Sequence, residues 1–166
     1  GNSQPIFVEI EDGSQIFCFS GNTGTFTTLP AAPTSAVTLG RAVAVVIDGT
    51  AAYAYSGLLG SHASVSFTTQ PTAIVEQYFA LLDDGNSVTP YSAAAGAFGP
   101  NFPVPGSQVV TSAQCALAGT GYAGTGAPLG VYSTYLNTWV LPPSGIVPTA
   151  HHLTAASVIF GPTPPK

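Results

Sequence analysis

The side chains able to do acid–base, nucleophilic or metal chemistry are few. The 166 residues hold seven carboxylates, three histidines and two cysteines. Hydrolysis needs two carboxylates in one cleft, or a nucleophile beside a base. Five of the acids (Glu11, Asp12, Asp48, Asp83 and Asp84) stand at or beside Asp-Gly dipeptides, where turn geometry alone favours aspartate. Only Glu9 and Glu76 lie within strand-like runs, so no catalytic pair is expected. His151 and His152 are adjacent, and adjacent side chains on a strand point to opposite faces. They therefore do not converge on a metal ion, and His62 would need a carboxylate from far away. There is no GxSxG, HExxH or Walker-type loop. The glycine-rich run 119–126 has no lysine and no helix pattern after it, and reads as a flexible loop. No catalytic residue, cofactor or metal site is expected.

Cys18 and Cys115 sit in apolar, strand-like contexts, with no CxxC or Cys/His cluster near either. The preferred reading is a disulfide closing 97 residues, which would stabilise the fold by about 4.7 kcal/mol. Two buried thiols are the alternative. For binding chemistry the aromatic-rich segment is the best candidate: Tyr132, Tyr135, Asn137 and Trp139 suit sugar stacking or an interface. Equally, Tyr135, Asn137 and Trp139 would form one face of a strand.

Charged residues make up 5% of the chain, with two cations (Arg41 and Lys166) and a net charge of −5, against roughly 25% charge in an ordinary soluble protein. Two cations cannot neutralise a nucleic-acid backbone or anchor a polybasic membrane segment. The longest unbroken apolar run, Ala42 to Ile47, is far shorter than the ~18 residues of a membrane helix. Apolar content of 45% argues against disorder. The chain has no methionine, which fits a leader removed from an extracellular protein. Uncharged surfaces associate readily, so copies of itself are the expected partner.

The elements follow from periodicity. Asp12-Gly13, Asp48-Gly49 and Asp84-Gly85 recur every 36 residues, each followed at a fixed distance by an aromatic and a serine: Phe19-Ser20, Tyr55-Ser56 and Tyr91-Ser92. Asp-Gly between alternating runs signals a hairpin with a type I′ turn. A second echo, Phe-Thr-Thr at 26–28 and 67–69, has an offset of 41. Residues 72–82 could form a helix, but by analogy with the other units their second half is a strand. Residues 90–106 read as a Pro-rich loop, and 108–117, 131–141 and 152–160 as single strands. The expected fold is one all-β domain over 1–160, an antiparallel sandwich or jelly roll of Asp-Gly hairpins, with a β-trefoil as alternative. Residues 1–6 read as an arm and 161–166 as a Pro-rich tail.

The expected function is a non-enzymatic structural subunit of an extracellular filament, pilus-like fibre or virion shell. A secreted carbohydrate-binding or adhesin module is the alternative, and a small secreted hydrolase a third reading.

Overall fold

In the computed structural model, which describes residues 9–11 (backbone only), 15–32, 35–119 and 129–143, the chain is all-β and antiparallel. The strands form four separate sheets, each a meander of consecutive strands. Sheet 1 holds β1 (Glu9–Glu11), β2 (Ile16–Ser20) and β3 (Thr25–Leu29). Sheet 2 holds β4 (Ala36–Leu39), β5 (Val43–Asp48), β6 (Ala51–Ser56) and β7 (Ser61–Ser66). Sheet 3 holds β8 (Thr72–Val75), β9 (Phe79–Asp83), β10 (Val88–Ser92) and β11 (Ala97–Phe98). Sheet 4 holds β12 (Val109–Ser112), β13 (Cys115–Ala118), β14 (Gly130–Ser133) and β15 (Thr138–Val140).

The sheets are layered in chain order. Ile16, Cys18 and Leu29 of sheet 1 pack on Ala44, Val46 and Tyr55 of sheet 2. The other face of sheet 2 (Val43, Val45, Ile47, Ala54) packs on Ala80, Leu82 and Tyr91 of sheet 3. Phe79, Leu81 and Val88, on the far face of sheet 3, meet Ala116, Ala118 and Tyr132 of sheet 4. Each neighbouring pair is thus a sandwich. The described strands contain no Greek-key crossover, so jelly-roll connectivity does not join them. Four layered sheets also differ from the three units of a trefoil.

Burial on both faces explains the runs that carry no alternation. In β5, Val43, Val45 and Ile47 face one neighbour while Ala44 and Val46 face the other. The same cause makes 72–82 look helical in sequence. It is β8 and β9, paired from Thr72↔Asp83 to Val75↔Ala80. Three expected spans need correction. Residues 108–117 and 131–141 are each two strands of a hairpin, β12–β13 and β14–β15. Residues 90–106 begin in β10 and β11 before the loop proper, because Pro90 sits in β10 opposite Leu81. The arm at 1–6, the tail at 161–166 and the strand at 152–160 lie outside the described residues.

The hairpin turns also differ from the expected type. Asp48 pairs with Ala51, so Gly49-Thr50 is the two-residue loop. Gly49 has φ 59° and Thr50 is not among the positive-φ residues, the pattern of a II′ turn rather than I′. Asp84 opens a four-residue loop instead. Its carboxylate accepts the N–H groups of Asn86 (2.9 Å) and Ser87 (2.7 Å), and these bonds hold its pKa below the ordinary value. The turn at Asp12-Gly13 lies outside the described residues.

The expected disulfide is absent. Cys18 and Cys115 are not bonded: one lies in sheet 1 and the other in sheet 4, with sheets 2 and 3 between them. Bridged cysteines need Cα atoms within about 7 Å, whereas a single face-to-face sheet spacing is already ~10 Å.

A second set of turns recurs in all four sheets, at 21–24, 57–60, 93–96 and 134–137. Each ends on a left-handed residue: Gly24 (φ 71°), Gly60 (68°), Gly96 (63°) and Asn137 (50°). Each is preceded by a serine whose Oγ accepts the N–H three residues on: Thr23 to Ser20, Leu59 to Ser56, Ala95 to Ser92 and Leu136 to Ser133. The first three serines also donate, each to a carbonyl of the next sheet. Ser20 bonds the Gly57 oxygen, Ser56 that of Ala93 and Ser92 that of Thr134, all at 2.6 Å and all buried. These hydroxyls fix how one layer sits on the next.

Removing one of them orphans a buried carbonyl, which costs about 1–3 kcal/mol. Ser56→Ala should therefore lower stability by that amount, whereas Ser133→Ala, at the outer surface, should cost no more than about 0.5 kcal/mol. Urea unfolding of the two variants followed by circular dichroism, at a concentration where the chain is monomeric, checks the difference.

Candidate functional site

The residue before each serine is aromatic, and its side chain points away from the next sheet. Tyr55, Tyr91 and Tyr132 are fully buried against the preceding sheet. Each has a partner directly across the next strand: Tyr55↔His62, Tyr91↔Phe98 and Tyr132↔Trp139. Ring centroids are 5.1 Å apart for Tyr91–Phe98 and 5.3 Å for Tyr132–Trp139. In sheet 1 the same positions are Phe19↔Phe26, with centroids 4.9 Å apart. No described sheet precedes it, and Phe26 is 59% exposed.

The opposite end of the series is sheet 4. Cross-strand partners Val110, Leu117, Val131 and Val140 form one row on the face turned away from sheet 3. Val110, Val131 and Val140 are 49%, 40% and 49% exposed, while Leu117 between them is buried. A parallel row on this face is Cys115–Ser133–Thr138. It matches Val43–Ser56–Ser61 in sheet 2 and Phe79–Ser92–Ala97 in sheet 3, where Val43 and Phe79 are fully buried. In sheet 4 the row is only half covered. Tyr135, Leu136 and Leu141 add exposed apolar surface beside it. The candidate site is thus a pair of unlike end faces, and neither was apparent from the sequence as a site. Both required the cross-strand register.

Tyr132, Asn137 and Trp139, of the four sequence-predicted binding residues, are engaged within the chain as follows. Tyr132 is fully buried, and its hydroxyl donates to Asn137 Oδ1 at 2.7 Å. Asn137 Nδ2 donates to the Ala97 carbonyl at 3.2 Å. Trp139 is half-buried between Tyr132 and Phe102, and its indole N–H donates to the Pro100 carbonyl at 3.0 Å. Tyr135, in the turn, is 73% exposed. The expected shared strand face of Tyr135, Asn137 and Trp139 does not form, because the first two belong to the turn and the third to β15.

The other candidates for chemistry are dispersed. Among the described residues no three His, Cys, Asp or Glu side chains come close enough to hold a metal ion, and no helix is long and apolar enough to cross a membrane. His151, His152 and Asp12 lie outside the described residues, as do the side chains of Glu9 and Glu11. Glu76 accepts a hydrogen bond from Thr111 Oγ1 and so ties sheet 3 to sheet 4. The expectation that the chain holds no GxGxxG needs correction, since Gly119, Gly121 and Gly124 have that spacing. Residues 120–128 lie outside those described. An open cavity of about 520 Å³ beside sheet 1 is lined by Gln15, Thr28, Leu29, Pro30, Ala31 and His62, without convergent charge. No known protein-family model matches the chain, and no curated protein matches it.

The buried tyrosines differ in how their hydroxyls are satisfied. Tyr132 has Asn137, while the Tyr91 hydroxyl is buried with no hydrogen-bond partner. Tyr91→Phe should therefore stabilise the chain by about 1 kcal/mol and Tyr132→Phe destabilise it by a similar amount, read by urea unfolding. Burial also pushes the phenol pKa of Tyr91 and Tyr132 well above the ordinary 10.0. A raised folded-state pKa contributes stability in full below the unfolded value and loses it as pH rises towards the folded one. Stability should accordingly hold up to about pH 10 and fall above it. Phenolate absorbance from these two residues should appear only together with loss of the β-sheet signal; titration ahead of unfolding would contradict their burial.

Proposed function

We propose that the chain is a non-enzymatic structural subunit that self-assembles outside the cell, into a filament, fibre or shell, by burying the apolar face of sheet 4. The observation that carries this reading is the row Val110–Leu117–Val131–Val140, built like an inner layer of the sheet series yet exposed at three of its four positions. Six of the nine large apolar side chains exposed among the described residues belong to sheet 4 or its margins: Val110, Val131, Tyr135, Leu136, Val140 and Leu141. Exposed apolar surface concentrated in this way marks an interaction site.

Composition supports the same reading. With 5% charged residues, the surface offers little electrostatic repulsion between copies. Contacts of this kind are driven by removing apolar area from water, so salt does not screen them, and excluded salts strengthen them.

The test is sedimentation velocity over a concentration series. Wild-type chain should shift to faster-sedimenting species as concentration rises, at molar salt at least as readily as at low salt. Val131→Glu would bury an unpaired charge at the contact and should stay monomeric while keeping its fold by circular dichroism. A wild-type chain monomeric at every concentration would overturn the reading.

A further inference from the structure

We infer that the copies join head to tail, with the outer face of sheet 4 of one copy seated on the outer aromatic face of sheet 1 of the next. This rests on the self-assembly reading and adds the partner surface and its polarity. The contact repeats an interface the chain already makes three times. At each internal junction a serine-bearing face meets an aromatic-bearing face: Ser20 against the Tyr55 face, Ser56 against that of Tyr91, and Ser92 against that of Tyr132.

The two ends are the unmatched halves of the same junction. Sheet 4 presents the serine face, with Cys115–Ser133–Thr138 beside the valine row. Sheet 1 presents the aromatic face, with Phe19 and Phe26 in the places of Tyr91 and Phe98. Both remain exposed in the same chain, Val131 at 40% and Phe26 at 59%, so neither end satisfies the other internally. At the internal junctions the acceptor is the carbonyl of the residue after the next sheet's serine: Gly57, Ala93 and Thr134. The equivalent in sheet 1 is Gly21. Ser133 Oγ accepts the Leu136 N–H just as the other serines accept theirs, so its hydroxyl can donate across the end face as theirs do. The junction therefore places a hydrogen bond from Ser133 to the Gly21 carbonyl of the next copy. Because the joined faces differ, the contact is heterologous and propagates as an open filament or closes as a ring, rather than stopping at a two-fold dimer.

Single-ended variants test this. Val131→Glu blocks the sheet 4 end and Phe26→Glu the sheet 1 end, with Val140→Thr and Phe26→Thr as milder versions should either charge impair folding. Each variant alone should lose assembly. An equimolar mixture should give a 1:1 heterodimer, because one live sheet 4 face then meets one live sheet 1 face. A second readout is Cys115, whose labelling by a thiol reagent should drop in proportion to the assembled fraction of wild type. If Phe26→Glu assembles as well as wild type, sheet 4 pairs with itself or with another surface and the inference fails while self-assembly stands. Unchanged Cys115 labelling on assembly overturns it in the same way. If the wild type never assembles, something other than a second copy covers sheet 4, and both readings fall.

Discussion

One hydroxyl in each layer governs how the next layer is placed. Ser20, Ser56 and Ser92 each accept an amide of their own turn and donate to a carbonyl one layer on. The first bond shapes the turn, and the second fixes its height and register against the neighbouring sheet. A turn carbonyl buried between two sheets has no water to bond, and these serines supply the missing donor. The aromatic residue immediately before each serine points the opposite way along the strand pleat. An aromatic-serine dipeptide therefore specifies both junctions of a sheet, one on each face. Gly40 shows how tightly the layers meet, since a Cβ there would lie 2.0 Å from the Glu76 carbonyl oxygen.

Much of this was visible in the sequence at the level of the unit. The 36-residue recurrence of Asp-Gly and of Phe19-Ser20, Tyr55-Ser56 and Tyr91-Ser92 corresponds to successive sheets. The fourth unit was missed because its Asp-Gly turn is replaced. The connection between β13 and β14 runs through the glycine-rich stretch, and Tyr132-Ser133 follows Tyr91-Ser92 by 41 residues. The Phe-Thr-Thr echo misled for the opposite reason. Phe26 lies within β3, whereas Phe67 follows the end of β7, so equal letters occupy unequal places. The cysteine pairing failed because an apolar, strand-like context does not say which layer a residue occupies. In a layered series, residues far apart in sequence lie in distant layers, so a long disulfide loop has no close approach to exploit. The paired face positions could not be read at all without register. Val131 and Tyr132 are neighbours in sequence, yet one is exposed and the other wholly buried.

The low charge follows from the same layering. A sheet covered on both faces has no solvated side on which charges could alternate, so charge is confined to turns and edges. Asp84 and the Arg41 guanidinium, 6.0 Å from the Tyr78 ring centroid, are of this kind. What layering does not explain is the outer face of sheet 4, where polar residues would cost nothing if water were its permanent neighbour. Val110, Val131 and Val140 stand there instead, at the positions where sheet 3 carries residues that sheet 4 covers. An end sheet that water covered would be expected to alternate apolar and polar residues, as one-sided antiparallel sheets do. Sheet 4 has the composition of an interior layer, and that composition is the physical ground of the proposal that a second copy covers it.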